Sequence, residues 1–233
     1  MMKSDKIFSA IGLLLLAAAL LLTAYNVKTD ESAGESAEAV LSELTPVIEE
    51  QKAITSDIIE EVQKENETAE ETEPDTETDT DTSVVDEETY VPDYVINPEM
   101  NMPSNEVDGN SYIGVISIPS QSIDLPVMGG DWSYSKLRTA PCVYSGSVYQ
   151  DNMIIAGHNY RRHFGKLSNL SIGDKVTFTD MSGNVFSYKV VEVESISGSD
   201  VEGMTSGDWD LTLFTCTMDG QRRITIRCER TDS

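Results

Sequence analysis

The sequence predicts an all-β domain of about 120 residues in its C-terminal half, either a closed barrel or a sandwich. From residue 111 onward, short runs alternate apolar and polar residues, as half-buried strands do. Clusters of Gly, Asn and Asp at 128–131, 182–184 and 218–221 separate the runs and mark turns. Only two helical patches interrupt the pattern, at 132–137 and 163–170. The predicted strands are residues 112–118, 123–127, 152–156, 175–179, 186–193, 211–215 and 223–228.

Ahead of this domain, the chain opens with a candidate membrane anchor. Lys3 and Lys6 lie in residues 1–6, and residues 7–25 are almost entirely apolar. About 20 apolar residues span a bilayer as a helix, and preceding basic residues favour a cytoplasmic N-terminus. A cleaved signal peptide is the rival interpretation, but the run is long and no clean cleavage site follows it. We therefore predict a single-pass transmembrane signal anchor at 7–25, with the rest of the chain outside the cell membrane.

Residues 26–105 are predicted to be an acidic, largely disordered linker. The chain has a net charge of −25, and 24 of its 41 acidic residues fall between positions 30 and 99. Apolar residues within 36–65 follow a loosely helical spacing that allows one or two marginal amphipathic helices, broken at Pro46. Residues 67–82 are almost all Glu, Thr and Asp, so self-repulsion should extend them as a spacer.

The remaining residues, 106–233, have a nearly ordinary surface charge, with 16 acidic and 11 basic residues. Phosphate contacts need clustered Lys and Arg, so this balance argues against a nucleic-acid partner. The two histidines and the scattered acidic residues have no recognised metal-ligand spacing, and no cofactor motif stands out.

The chain has three cysteines, and an odd number in an exported protein suggests at least one free thiol. Cys142 and Cys228 are either bonded to each other or, as we favour, small buried apolar residues. Cys216 ends the strand 211–215 in a polar setting, between two threonines. A thiol at an exposed strand end is a candidate nucleophile; an inert structural cysteine is the alternative.

Two kinds of side chain are candidate partners for that thiol. His158 follows the strand 152–156 and Gly157, a glycine that allows a sharp turn presenting the imidazole outward. His163 stands among basic residues, and we predict that it is solvated surface. Arg222 and Arg223 begin the last strand, which a hairpin would bring beside Cys216.

One of these two arginines would then point towards Cys216 and the other away from it. A guanidinium in that position stabilises a developing oxyanion and favours thiolate over thiol. Two ordinary surface arginines at a turn are the alternative.

The order of these motifs resembles that of a known family. Residues 212–216, TLFTC, are similar to the TLxTC signature of the sortases, cysteine transpeptidases of Gram-positive cell surfaces. Residues 152–158, NMIIAGH, resemble the family's histidine strand, and residues 223–227, RITIR, resemble its arginine strand. The segments 116–119 and 123–127 resemble its opening hairpin, so the likeness extends over most of the predicted domain.

The resemblance implies a closed, sortase-type, eight-stranded β-barrel with short helices, preceded by the transmembrane helix and the disordered acidic linker. It implies that Cys216 is the nucleophile, that His158 is the acid/base and that Arg223 stabilises the oxyanion, with Arg222 as the second choice. It also implies that Ala156, Thr212 and Thr215 line the groove for the substrate peptide.

The function that the resemblance implies is transpeptidation. Cys216 would cleave an LPxTG-like sorting signal on surface proteins through a thioester, and an amine acceptor from peptidoglycan precursor or a pilin would then release the product. The 58-residue interval between His158 and Cys216 favours a compact, class A/D-like type. Two alternatives remain open: a membrane-anchored cysteine protease, and a non-catalytic β-barrel binding module on a stalk.

Overall fold

A computed structural model describes residues 2–70 and 90–232 of the chain. The described residues form three α-helices and nine β-strands, with short 3₁₀ turns between them. The helices are α1 (Met2–Glu70), α2 (Asp93–Ile96) and α3 (Val201–Thr205). The strands are β1 (Asn105–Val107), β2 (Asn110–Ile118), β3 (Ile123–Met128), β4 (Cys142–Ser145), β5 (Met153–Gly157), β6 (Lys175–Asp180), β7 (Val185–Ser197), β8 (Leu211–Cys216) and β9 (Arg222–Arg230).

The strands form a closed barrel. Their order in the sheet is β1-β2-β3-β4-β5-β8-β9-β7-β6, and β2 also pairs with β6. The β2–β6 pairing closes the eight strands from β2 through β9 into a ring, which confirms the predicted fold class. β1 extends β2 through a hairpin whose two turn residues, Asp108 and Gly109, both have positive φ. Turns of this type follow the twist of the strands that they join.

All of the strands predicted from the alternating pattern are present, and two further strands are not visible in that pattern. β1 and β4 are short, and β4 has one paired position on β3 and a register shift opposite β5. The two predicted helical patches are 3₁₀ turns, at Lys136–Arg138 and Phe164–Asn169.

Apolar side chains fill the barrel and also cover part of its outer face. Alternation along β5 sends Met153 and Ile155 into the interior, while Ile154 and Ala156 face outwards. The outward-facing residues belong to a second apolar layer, the outer layer, in which Phe214 of β8 also lies. Side chains of α1, α3 and the loop before β4 cover this layer, among them Val40, Leu44, Ile48, Met204, Leu137 and Trp132.

The first part of α1 is the candidate membrane span. Its side chains from Ile7 to Lys28 are exposed, and the helix is apolar and long enough there to cross a bilayer. The helix then continues into the region predicted as linker, and from residue 33 one face of it is buried against the barrel. The prediction of disorder from residue 26 therefore does not describe residues 26–70. Most of the acidic segment 67–82 lies outside the described residues.

The helix persists through Pro46, where the sequence predicted a break. Val40, Leu44 and Ile48 recur at four-residue intervals and are all buried. Tertiary packing of this stripe supplies the stabilisation that a proline within a helix opposes.

The end of the predicted linker is also attached to the barrel. The ring of Tyr94 in α2 stacks on the ring of Tyr149, with centroids 4.8 Å apart and planes 10° apart. Met100 and Met102 pack against the barrel core from the segment before β1. Residues 94–102 thus contribute to the fold that the sequence placed after residue 105.

Candidate active site

Three neighbouring strands bring His158, Cys216 and Arg223 to one end of the barrel. β5 and β8 run parallel with Gly157 opposite Thr215, so the residues that follow them, His158 and Cys216, stand side by side. β8 and β9 run antiparallel with Cys216 directly opposite Arg223. Directly opposed residues share a face of a sheet, so Arg223 lies on the Cys216 side.

The strand ends beneath this row are joined by Thr215. Its hydroxyl donates a hydrogen bond of 2.9 Å to the carbonyl of Gly157, and the side chain is buried. Gly157 itself makes room for the ring of Phe164, because a Cβ at Gly157 would lie 2.3 Å from that ring. The glycine therefore serves close packing, and not the sharp turn that the sequence suggested.

His158 is half-buried and stacks on a neighbouring aromatic ring. The centroids of His158 and Tyr160 are 3.7 Å apart, with 23° between the ring planes. Nδ1 of His158 is buried and has no hydrogen-bond partner among the described residues. Burial lowers the pKa of His158; the nearby charge of Arg138 lowers it further and that of Asp30 opposes the effect. The lowered pKa favours the neutral imidazole, which is the form that accepts a proton.

The two candidate arginines have different partners. Nη1 of Arg223 donates to the carbonyls of Gly220 and Arg222, each at 3.1 Å, so its guanidinium rests on the β8–β9 hairpin. The guanidinium of Arg222 points the other way and donates to the hydroxyl and the carbonyl of Ser195. Of the two, only Arg223 shares the face of Cys216.

The side chains on the outward faces of β5, β8 and β9 lead away from Cys216 and are buried within or beneath the outer layer. Ala156, Phe214 and Thr225 come next after the row of candidate residues at the strand ends, and Ile154, Thr212 and Arg227 come after them. On one side, Phe214 meets the edge of Tyr144 at 5.4 Å between centroids, and Tyr144 contacts Trp132 at 5.3 Å. On the other side, Met204 and Ile196 belong to the same apolar layer.

The residues predicted to line the groove are placed differently from one another. Ala156 faces outwards, within the outer layer, and is buried. Thr212 also faces outwards, but its hydroxyl accepts a hydrogen bond of 3.1 Å from Arg227. Thr215 shares the inward parity of Leu213, and its hydroxyl is bonded to Gly157, so it contributes to the support beneath Cys216.

Arg227 fastens the loop between β7 and β8, and the sequence analysis missed it. It is 2% exposed, and its guanidinium donates to Glu194 at 2.7 Å, to the carbonyls of Gly203 and Met204 at 2.6 and 2.7 Å, and to Thr212. We call this set the Arg227 clamp. The signal was present in the sequence, because Arg227 lies four residues after Arg223 on one strand face.

The prediction that His163 lies at the solvated surface is wrong. Its side chain is fully buried, and Nε2 lies 3.4 Å from the carbonyl of Ala33 in α1. The basic side chains around it, Arg161 and Arg162, are the exposed ones. Burial lowers the pKa of His163.

The three cysteine thiols differ in their exposure to solvent. Cys142 is buried in the outer layer and Cys228 in the barrel core, and neither forms a disulfide. Cys216 is partly exposed. Burial raises the pKa of Cys142 to about 11 and that of Cys228 to about 12. Cys216 is the accessible thiol of the three. Within residues 2–70 and 90–232, no group of three or more His, Cys, Asp or Glu side chains is arranged to hold a metal ion.

A cleft of about 830 Å³ opens beside His158, between α1 and the barrel. Its lining includes Tyr25 and Asp30 of α1 together with Arg138, His158 and Met218. The helix therefore contributes one wall next to the histidine.

Comparison with known proteins identifies the relatives of this domain. A family model described as a sortase domain matches residues 116–231. Sortase A of Bacillus anthracis is 32% identical over 115 residues, which are 47% of this chain and 54% of that protein. The chain thus matches about half the length of that curated relative.

Solved structures of sortases are also similar. Sortase C1 from Streptococcus agalactiae is 27% identical with a TM-score of 0.48, over 55% of this chain and 72% of that one. Sortase A from Corynebacterium diphtheriae, a lid mutant, is 22% identical with a TM-score of 0.46, over 60% of this chain and 76% of that one.

Proposed function

This chain belongs to the sortase family through residues 116–231, and we propose that it is a membrane-anchored cysteine transpeptidase. Its substrates are surface proteins with an LPxTG-like sorting signal, and its second substrate is an amine from a cell-wall precursor or a pilin. The observation that carries the proposal is the row of His158, Cys216 and Arg223 on adjacent strand ends. No cofactor takes part in this chemistry.

The first half-reaction forms a thioester. Sγ of Cys216 attacks the carbonyl carbon of the threonine in the sorting signal, while neutral His158 accepts the thiol proton. Arg223 leaves its hairpin carbonyls and donates to the oxyanion of the tetrahedral intermediate. The C–N bond then breaks, and His158 returns the proton to the leaving amine of the glycine.

The second half-reaction transfers the acyl group. The amine acceptor attacks the thioester carbonyl and gives its proton to His158. The C–S bond breaks, a new amide forms, and Cys216 recovers its proton from the imidazole. The partly exposed rings of Trp132 and Tyr144, which adjoin Phe214, suit the leucine and proline of the sorting signal.

The anchor and the domain borders complete the proposal. Residues 1–6 are cytoplasmic, residues 7–25 span the membrane, and the domain 106–233 is extracellular. The apolar, exposed run of α1 from Ile7 onward and the lysines that precede this run support this orientation. The likeness of the motifs and their compact spacing support a class A/D-like type.

Thiol labelling of the full-length chain in detergent tests the nucleophile. A maleimide at neutral pH should react with Cys216 and leave buried Cys142 and Cys228 unmodified. His158→Ala should slow that reaction, because the thiol loses its base. Equal labelling rates in the two proteins would favour a non-catalytic barrel.

Product analysis then separates the enzyme classes. The full-length chain is incubated with a panel of LPxTG-like peptides, with and without an amine acceptor, and Cys216→Ala serves as the control. Amide products that depend on the amine are expected. Hydrolysis at the same rate in both conditions would identify a cysteine protease instead.

A further inference from the structure

The segment that carries His158 is held from outside the barrel, by α1. Asp30 Oδ1 accepts a hydrogen bond of 3.3 Å from the backbone N–H of Arg162. Glu38 Oε1 lies 2.8 Å from Nη1 of Arg162. The carbonyl of Ala33 lies 3.4 Å from Nε2 of His163. All three partners in α1 fall within nine residues of one helix, so a single docked face makes every contact.

This face of α1 is built from small residues where it meets the segment. Ala33, Gly34 and Ala37 are buried, and an added Cβ at Gly34 would lie 1.9 Å from Cδ of Arg162. Glycine costs stability inside a helix, so its presence here has a packing reason. It allows the aliphatic part of Arg162 to lie directly on the helix.

The contacts reach the imidazole of His158 through one aromatic ring. Tyr160 stacks on His158 at 3.7 Å and meets His163 edge-on at 5.6 Å. His163 in turn touches α1 through Ala33. A displacement of α1 would therefore free His163 and Arg162 first, and then the ring that supports His158.

We propose that α1 is part of the active site, and that Asp30, Gly34 and Glu38 are positioning residues that fix His158 relative to Cys216. This inference rests on the proposed transpeptidase function. It replaces the view of residues 26–70 as a passive tether, because the barrel without them would keep Cys216 but lose the support of its base.

Gly34→Ala is the sharpest test, because it strengthens the helix while it pushes Arg162 away. In the full-length enzyme we expect kcat to fall about tenfold, since small misplacements of a catalytic group are costly. KM for the sorting peptide should change less than about twofold, because the substitution acts on the segment that carries His158 and not on the strand faces beyond Cys216. The acid limb of kcat/KM should move to higher pH, as His158 loses part of its burial. An alanine at exposed Ser36 of the same helix is the matched control.

A charge exchange tests the ion pair separately. Glu38→Arg and Arg162→Glu should each lower kcat a few-fold, and the double variant should recover most of the loss. Glu35→Arg makes the same change of charge at an exposed position three residues earlier in the helix, and should have no effect. Loss of activity in Glu35→Arg equal to that in Glu38→Arg would indicate a general charge effect and overturn the proposal.

Hydrogen exchange distinguishes failure of this inference from failure of the proposed function. Amides of residues 158–165 should exchange more slowly in the wild type than in Gly34→Ala, whether or not any peptide is turned over. Equal exchange in the two proteins overturns the inference even if the enzyme is active. If no transpeptidation is found but the exchange differs as expected, α1 holds the segment and the proposed function is what fails.

Discussion

The two segments beside Cys216 are held in opposite ways. The loop between β7 and β8 is fastened by the Arg227 clamp, whose arginine is 2% exposed and has partners on three elements of the domain. The segment 158–163 is held by α1, partly through an ion pair whose arginine and glutamate side chains are 46% and 70% exposed. Exposed pairs contribute little, whereas a buried arginine that loses its partners is costly. One side of the site is thus fastened by a buried guanidinium, and the other side partly by exposed charges.

The largest expected effect is that of Arg227→Met, on stability. Glu194 and the carbonyls of Gly203 and Met204 would lose their donor, so we expect the free energy of unfolding to fall by about 3 kcal/mol. Chemical denaturation measures it. Arg222→Met, which removes an exposed arginine from the same strand, should cost less than about 1 kcal/mol. Similar losses of unfolding free energy in the two variants would mean that the Arg227 clamp stabilises the fold no more than an exposed arginine does.

Acidification should weaken the α1 side and spare the clamp. The pKa of buried His163 is lowered mainly by burial; Ala33 and Asp30 oppose the shift, while His158 adds to it. A group whose folded pKa is depressed stabilises the fold above its unfolded pKa, here 6.5, and this stability is lost as the pH falls below it. Between pH 7.5 and 5.5 we expect a loss of up to about 1.4 kcal/mol from His163.

Denaturation of the wild type and of His163→Gln at the two pH values measures that contribution. The difference between pH 7.5 and 5.5 should be smaller in the variant, because glutamine does not titrate in this range. An unchanged pH dependence in His163→Gln would mean that the docking of α1 is not sensitive to this histidine.

Thr212→Val should have an intermediate effect, and it sharpens the assignment of that residue. It removes one acceptor of Arg227, so we expect a loss of about 1 kcal/mol in the free energy of unfolding. KM for the sorting peptide should stay close to that of the wild type, because the hydroxyl is already bonded to the guanidinium. A large rise in KM with unchanged stability would instead favour the substrate-binding role that the sequence suggested.

The smallest expected effect is that of Glu38→Gln on stability. An exposed ion pair contributes about 0.2–1 kcal/mol, so denaturation should barely detect its loss. High salt should reduce kcat of the wild type and leave that of Glu38→Gln almost unchanged, because screening acts on exposed charges. A stability loss as large as that of Arg227→Met would show that the two attachments are alike.

The barrel was predictable because its strands carry their signal locally. Alternation revealed every strand that is half-buried and long, such as β2 and β7. It missed β1 and β4, whose three and four residues are too few to show a period. The positions of His158 and Cys216 on neighbouring strand ends followed from the motifs, and their catalytic roles remain predictions.

The attachment of α1 was not predictable because its signal is tertiary. Ala33, Gly34 and Ala37 are small, so they do not register as an apolar stripe, and the acidic residues between them suggested disorder. Pro46 suggested a break that packing overrides. His163 was placed at the surface by its charged neighbours, although those neighbours point outwards and leave the ring buried.

In the proposed topology, the continuity of α1 sets the height of Cys216 above the bilayer. The docked face begins at Asp30, five residues beyond the proposed span, a rise of about 8 Å along a helix. With the proposed span at residues 7–25 in the membrane, an unbroken helix would also transmit its orientation, so that the thiol end of the barrel could not swing freely. Incoming polypeptides would have to offer their scissile bond within one thin layer next to the lipid headgroups, at a fixed angle of approach.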